Sequence, residues 1–266
     1  MASISTFDYY KEEKLFSNND NPAFNKKKEE FVKIKAALPF LSRKKAEFGI
    51  GIARIQDRYF QTNIIDFSQA KHDRSTYDIL GLHSLGRKHL ERTTICHSGK
   101  QRKNGSTNIH RQGKFKAGNP QAPVENQYKK IQSWLQVSYE NETYHKISPK
   151  FTLGAYLEAY YSSRNFSNNY TATLMEAGEF APTAHSKVTY NEAFRANQYT
   201  GIGAIPIYQL GNSIQLRGEF YGFIPIFPIK KDEYGKAYYG KAFTKFEYLG
   251  ESLLYSNYLS VLSVHT

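Results

Sequence analysis

Apolar and polar residues alternate one for one along much of this chain. Between 151 and 161 the odd positions read Phe151, Leu153, Ala155, Leu157, Ala159 and Tyr161, against Thr152, Gly154, Tyr156, Glu158 and Tyr160. Between 214 and 224 the even positions read Ile214, Leu216, Gly218, Phe220, Gly222 and Ile224, against Gln215, Arg217, Glu219, Tyr221 and Phe223. The stretch 241–251 alternates in the same way, and Val32, Ile34, Ala36, Leu38 and Phe40 interleave with Lys33, Lys35, Ala37 and Pro39. Successive side chains on a strand point to opposite faces, so a period of two predicts strands with one apolar and one polar face. The best helical candidate, "NPAFNKKKEEFVK" (21–33), has no convincing apolar stripe. The pattern predicts an all-β chain.

The length of the runs narrows the architecture. Strands of globular proteins are mostly about five or six residues, whereas several runs here hold their alternation for ten or more. Aromatic residues sit near their ends: Phe40, Phe151, Tyr161, Phe227, Tyr238 and Tyr239. An antiparallel transmembrane β-barrel needs an apolar outward band, aromatic girdles and a polar lumen. Glu158, Arg195, Arg217, Glu219 and Glu247 are the candidate lumen residues. The connections are unequal, with a short turn-like "KKDEYGK" (230–236) and a long polar loop over 162–187. A soluble β-sandwich alternates too, so the pattern alone leaves both architectures open.

Composition changes this picture in one place. The 266-residue chain carries a formal charge of +12. Residues 83–116 hold nine Lys/Arg and a single acid, Glu91, while the other 232 residues hold 27 Lys/Arg and 23 Asp/Glu. The basicity is therefore a local anomaly rather than a property of the whole chain. No stretch approaches the ~20 consecutive apolar residues of a membrane helix, which does not bear on a barrel. The start, "MASISTFDYYKEEK", shows no signal-peptide pattern. The single cysteine, Cys96, excludes an internal disulfide.

Two further stretches carry a resemblance. The sequences "YSSRNFSNNYTATLMEAGEFAPTAHSKVTYNEAFRANQYTGIGAIPIY" (161–208) and "LRGEFYGFIPIFPIKKDEYGKAYYGKAFTKFEYLGE" (216–251) resemble the C-terminal β-barrel of patatin-like phospholipase family proteins of Bacteroidetes type. Residues 7–52 and 59–81 look like earlier parts of the same barrel, so the resemblance covers roughly 3–81 and 118–251. It implies a bacterial outer-membrane location, membrane lipid as surroundings, and a preceding patatin hydrolase domain as partner. Patatin hydrolases use a serine in Gly-x-Ser-x-Gly and an aspartate in Asp-Gly. This chain contains neither motif; the nearest, "GNSIQ" (211–215), ends in Gln215. The hydrolase half is absent, so no catalytic residue, cofactor or metal is expected. Related barrels place a loop arginine in the lumen within an arginine-glycine-aromatic motif, and "AFRANQY" (193–199) offers Arg195, although Ala196 follows it. An ordinary lumen arginine paired with Glu192 or Glu219 fits as well.

The anomalous stretch admits four readings. A zinc site would draw on His89, Cys96, His97 and His110, whose spacing matches no knuckle or finger. A nucleic-acid platform needs several aromatics, and Phe115 is the only one in 83–116, so no nucleic acid is expected. A disordered basic loop suits Gly99, Gly105 and Gly113 and the scarcity of apolar residues. The favoured reading is a frame-disrupted stretch. Alternation and resemblance stop near Gly81 and return near 118, and half of the eight histidines (His83, His89, His97 and His110) fall in the gap. The tail "SLLYSNYLSVLSVHT" (252–266) departs likewise. The glycosylation-like triplets at 104, 141, 165 and 169 read as chance.

The expectation is thus a non-catalytic, partial outer-membrane barrel that anchors or exports a hydrolase domain. The alternative is a soluble β-rich binding protein whose basic loop contacts polyanions.

Overall fold

The structure, a computed structural model, describes residues 2–9, 25–39, 44–59, 73–88, 99–116, 129–167, 169–183, 186–187, 190–211, 214–256 and 259–265. Its strands are β1 (Ala2–Tyr9), β2 (Asn25–Pro39), β3 (Lys44–Tyr59), β4 (Asp73–Lys88), β5 (Gly99–Lys116), β6 (Lys129–Ser148) and β7 (Phe151–Ser162). A short helix α1 (Tyr170–Glu176) and the two-residue strands β8 (Gly178–Glu179) and β9 (Arg195–Ala196) follow. The chain continues through β10 (Gln198–Gln209), β11 (Ile214–Pro225), β12 (Ile229–Lys231), β13 (Ala237–Tyr239), β14 (Glu247–Ser256) and β15 (Leu259–His265).

Eleven strands make one sheet in the order β1-β2-β3-β4-β5-β6-β7-β10-β11-β14-β15. Every adjacent pair is antiparallel. The chain is therefore all-β in a long meander, as the alternation predicts. The sheet is not closed into a barrel: β1 and β15 stand at its two edges. The pairs β8–β9 and β12–β13 form small ribbons within the connections.

Burial along the strands is inverted relative to a soluble sheet. The outward positions of β2, β3 and β11 are apolar and exposed: Ile34 is 70%, Phe48 53% and Leu216 45% accessible. The inward positions carry polar groups that are nearly sealed, Glu219 at 6% and Arg111 at 5%. Leu153, Leu157, Ile202 and Phe220 share the outward face, while Tyr156, Tyr199 and Tyr221 face inward. The period-two reading thus assigned both faces of β7 and β11 correctly.

The inner face is filled by the 35-residue connection between β7 and β10. Phe180 from this segment packs among Tyr156, Tyr199, Ile205, Tyr221 and Phe223, and stacks on Phe223 at 5.6 Å between centroids. Gly201 leaves the room for it, because a Cβ there would fall within the Phe180 ring. The expected long loop is thus a folded insert with its own helix. Asn169 caps α1 by accepting from the Ala172 N–H at 2.7 Å, and Leu174 and Ala177 pack with Ile229 of β12.

Two other expectations are corrected. Residues 83–88 and 99–116 are not a disordered loop: they complete β4 and form β5, which pairs with β4 and β6 along its length. Regular pairing satisfies every other backbone group toward each neighbour, so a strand persists there despite the weak side-chain pattern. Residues 25–33 of the rejected helical candidate are the start of β2, in keeping with its lack of an apolar stripe, and 21–24 lie outside the described residues. The run 241–251 is a strand only from Glu247 onward. Before it, Phe243 takes a positive φ of 54° and its N–H donates to the Ile226 carbonyl at 3.0 Å, which turns the chain instead of extending it.

Candidate functional site

The polar interior has two centres, and the alternating strands build both. At the first, β7, β10, β11 and β6 aim Glu158, Tyr199, Glu219 and Glu142 inward. Glu158 accepts from the Tyr156 hydroxyl at 2.6 Å and the Tyr199 hydroxyl at 2.7 Å. Arg217 pairs with Glu219 at 2.5 Å and reaches Glu142 at 3.9 Å, with Tyr144 beneath its guanidinium. The Tyr221 hydroxyl donates to Glu219 at 3.2 Å. Of the expected lumen residues, Glu158 thus lies in one hydrogen-bonded group and Arg217 with Glu219 in another, and the two groups meet through the Tyr156 and Tyr221 rings, edge-on at 5.3 Å. Glu247 joins neither; its carboxylate lies 3.5 Å from the Lys245 ammonium in a half-exposed pair.

The second centre lies where the insert meets β4, β5 and β6. Glu176, at the end of α1, sits between two guanidiniums: Arg111 of β5 at 2.9 Å and Arg164 of the insert at 2.5 Å. The Ser167 hydroxyl donates to the same carboxylate, and Arg164 also donates to the Glu176 main-chain carbonyl at 2.8 Å. Both arginines lie over the Trp134 ring, and Arg111 also covers Tyr77 at 4.2 Å. Burial pushes the Glu176 carboxyl up, but Arg164 and Arg111 outweigh it and hold it below the ordinary carboxylate range. A cavity of about 290 Å³ opens beside this triad, lined by Lys27, Asp57, Tyr77, Trp134 and Tyr190 among others.

Arg195 bridges neither Glu219 nor the first centre. Its guanidinium pairs with Glu179 at 2.9 Å, donates to the Met175 carbonyl at 3.2 Å, and lies over Tyr190 at 4.6 Å. It holds the insert to itself, joining β9 to β8 and to the end of α1. Its burial, at 9% exposure, follows from that position.

The alternation and the motifs do not single out Arg111, Arg164, Trp134 or Glu176. Arg111 lies inside the anomalous basic stretch, and Glu176 lies in a segment read as loop. One cue was available: Arg111 shares strand parity with Ile109, two residues before it, opposite the outward-facing His110. His110 itself points away from the interior, with Nδ1 2.8 Å from the Ser133 hydroxyl. His89, Cys96 and His97 lie outside the described residues, as does Ser213 of "GNSIQ". Among the described residues no group of three or more His, Cys, Asp or Glu is placed to hold a metal ion.

Chemically, both centres pair carboxylates with guanidinium or phenol donors. Such networks fix side chains in a polar interior. No protein-family model matches the chain, and no curated protein matches it.

Proposed function

We propose that this chain is the non-catalytic outer-membrane β-barrel portion of a patatin-like phospholipase, anchoring or exporting a hydrolase domain. The observation that carries the reading is the inverted burial: bulky aliphatic and aromatic side chains outward and exposed, glutamates and arginines inward and paired. In water that arrangement would leave a large apolar surface uncovered; in lipid it is the stable one. The five long connections, of 15, 13, 12, 35 and 21 residues, all leave one end of the sheet, and the five of 4, 10, 2, 4 and 2 residues leave the other. Outer-membrane barrels share this asymmetry, with short periplasmic turns and long extracellular loops. The link to a patatin domain rests on the sequence resemblance alone. The soluble alternative loses its basic loop, because the described part of 83–116 is strand.

The test is refolding from urea into zwitterionic phosphatidylcholine vesicles. Insertion with heat-modifiable migration on gels is the expected result. A monodisperse protein that stays in solution without detergent would sink the reading. The chain should also show no ester hydrolysis above a blank, since neither patatin motif is present. Hydrolysis abolished by a serine-reactive inhibitor would require a site of another kind.

A further inference from the structure

Outward residues of β2, β3, β4 and β5 fall into transverse rows set by the strand register. One row is Ile34, Ile50, Leu82 and Asn108, and the next toward the long connections is Val32, Ile52, Leu80 and His110. Then come Glu30, Arg54, Asp78 and Gln112, followed by Lys28, Gln56, Thr76 and Lys114. Beyond these Lys26, Arg58 and Arg74 lie directly opposite one another on three adjacent strands. The two acids are already used, Glu30 by Lys28 at 2.6 Å and Asp78 by Arg54 at 2.7 Å.

Lys26, Arg58, Arg74 and Lys114 thus form an exposed basic patch, offset in part by Asp8 of β1, which lies opposite Lys26 in register, and by Asp78, which feels the charge of Lys114. Like charges facing each other across a sheet repel, so this row is costly unless an anion lies against it. The outward face of β7, β10 and β11 at the same end shows Tyr161, Gln198, Thr200 and Ile224 and no charge, which makes the patch one-sided.

Farther along the same strands, eight residues or roughly 26 Å from the Arg58–Arg74 row, lies an open groove of about 500 Å³. Ile34, Phe48, Ile50 and Leu82 line it, with Ala36 leaving space between them. At ~3.3 Å per residue, the Arg54 row lies roughly 7 Å, the Lys28 row roughly 13 Å and the Arg58–Arg74 row roughly 20 Å along the strands from the last apolar row. Strand tilt shortens these heights, to roughly 14 Å for the Arg58–Arg74 row, which stands at and beyond the outer edge of the headgroup layer. Long Lys and Arg side chains can also reach toward that layer while their stems lie on apolar surface.

We propose that this wall is a binding site for a phosphate-bearing lipid, with acyl chains in the groove and the phosphate against Arg58, Arg74 and their neighbouring lysines. The site rests on the membrane reading above. Charge complementarity selects the phosphate, and the groove selects a lipid over a free anion.

The experiment uses the full chain refolded in phosphatidylcholine vesicles containing phosphatidylglycerol, then extracted in mild detergent, with bound lipid counted by native mass spectrometry. Phosphatidylglycerol should be retained in preference to phosphatidylcholine, with the preference falling as salt rises. Arg58→Gln and Arg74→Gln should each lower retention roughly fivefold, whereas Lys230→Gln/Lys231→Gln, which removes the same charge elsewhere, should not. Ala36→Phe should lower retention by filling the groove, and millimolar inorganic phosphate should fail to displace the lipid. Equal retention of both lipids, or an unchanged Arg58→Gln/Arg74→Gln variant, overturns the site. Displacement by inorganic phosphate overturns the lipid and leaves an anion patch. Folding in pure phosphatidylcholine is scored first, so failure to insert is charged to the membrane reading and removes the site with it.

Discussion

Replacing Glu176 by Gln keeps the shape of the side chain and removes its charge, leaving the guanidiniums of Arg111 and Arg164 facing each other. Both are almost completely sealed, at 6% and 9% side-chain exposure, and Glu176 itself is at 7%. Breaking a buried ion pair by removing one partner costs about 3–5 kcal/mol, because the remaining charge stays desolvated. Glu176→Gln strands two such charges, although their stacking on Trp134 and Tyr77 offsets part of the cost. A loss of about 3 kcal/mol, with a urea slope of ~1–3 kcal/mol/M, moves the unfolding midpoint down by ~1–3 M. Urea titration of the inserted protein, followed by Trp134 fluorescence, measures the shift. Limited trypsin digestion gives a second readout, since release of the insert should expose Arg164. The triple change Arg111→Met, Arg164→Met and Glu176→Leu should recover most of the loss. The pH dependence follows from the depressed carboxyl of Glu176. Its contribution is present above the ordinary glutamate value of ~4.3 and is lost as pH falls through the lower folded value. Wild-type protein should therefore weaken on acidification below about pH 4, and Glu176→Gln should lack that component. A midpoint within ~0.3 M of wild type, with unchanged digestion, would refute the claim that this triad fastens the insert.

Three other outcomes follow from the same geometry. Leu153→Arg and Leu216→Arg should impair insertion by ~2–4 kcal/mol and Gln215→Arg by much less, because only the first two stand on the exposed apolar face that the proposed function puts against lipid; equal effects in a vesicle-folding assay would mean the faces are misassigned. Gly201→Ala should destabilise by ~1–3 kcal/mol through overpacking against Phe180, and Phe180→Leu should relieve it; an additive double variant in urea titration would contradict the contact. Translating the underlying DNA for 82–118 and 251–266 in the two other phases tests the frame reading: a phase that restores alternation, aromatic content and balanced charge would support it and would remove the roles given to Arg111 and Lys114. If neither phase does so, the basic stretch is a genuine part of the protein.

How far the fold was legible depended on which physical constraint shaped each stretch. Where a strand separates two unlike environments, as at Leu153/Tyr156 or Leu216/Glu219, the alternation is strong and both faces can be read from residues alone. Strand β5 escapes that rule. Its outward row runs Asn108, His110, Gln112 and Lys114, polar throughout, while the inward Ile109 and Arg111 mix character, so no period survives. Its position is dictated by backbone pairing with β4 and β6, which composition does not report. The insert was opaque for a different reason. Its residues touch strands distant in sequence: Glu176 meets Arg111 across 65 positions, and Phe180 meets Phe223 across 43. Lumen residues on regular strands were therefore found by parity, whereas the partners that fasten the insert depend on tertiary closure. Arg195 illustrates the difference. It could be picked out as a loop arginine, but its partner Glu179 is set by the short β8–β9 pairing, which brings the two into register. That pairing makes Arg195 part of the insert's internal frame and leaves Arg111 as the strand-borne charge that holds the insert to the wall through Glu176. A change at Arg195 should consequently loosen the insert itself, while a change at Arg111 should detach it from a wall that otherwise stays paired.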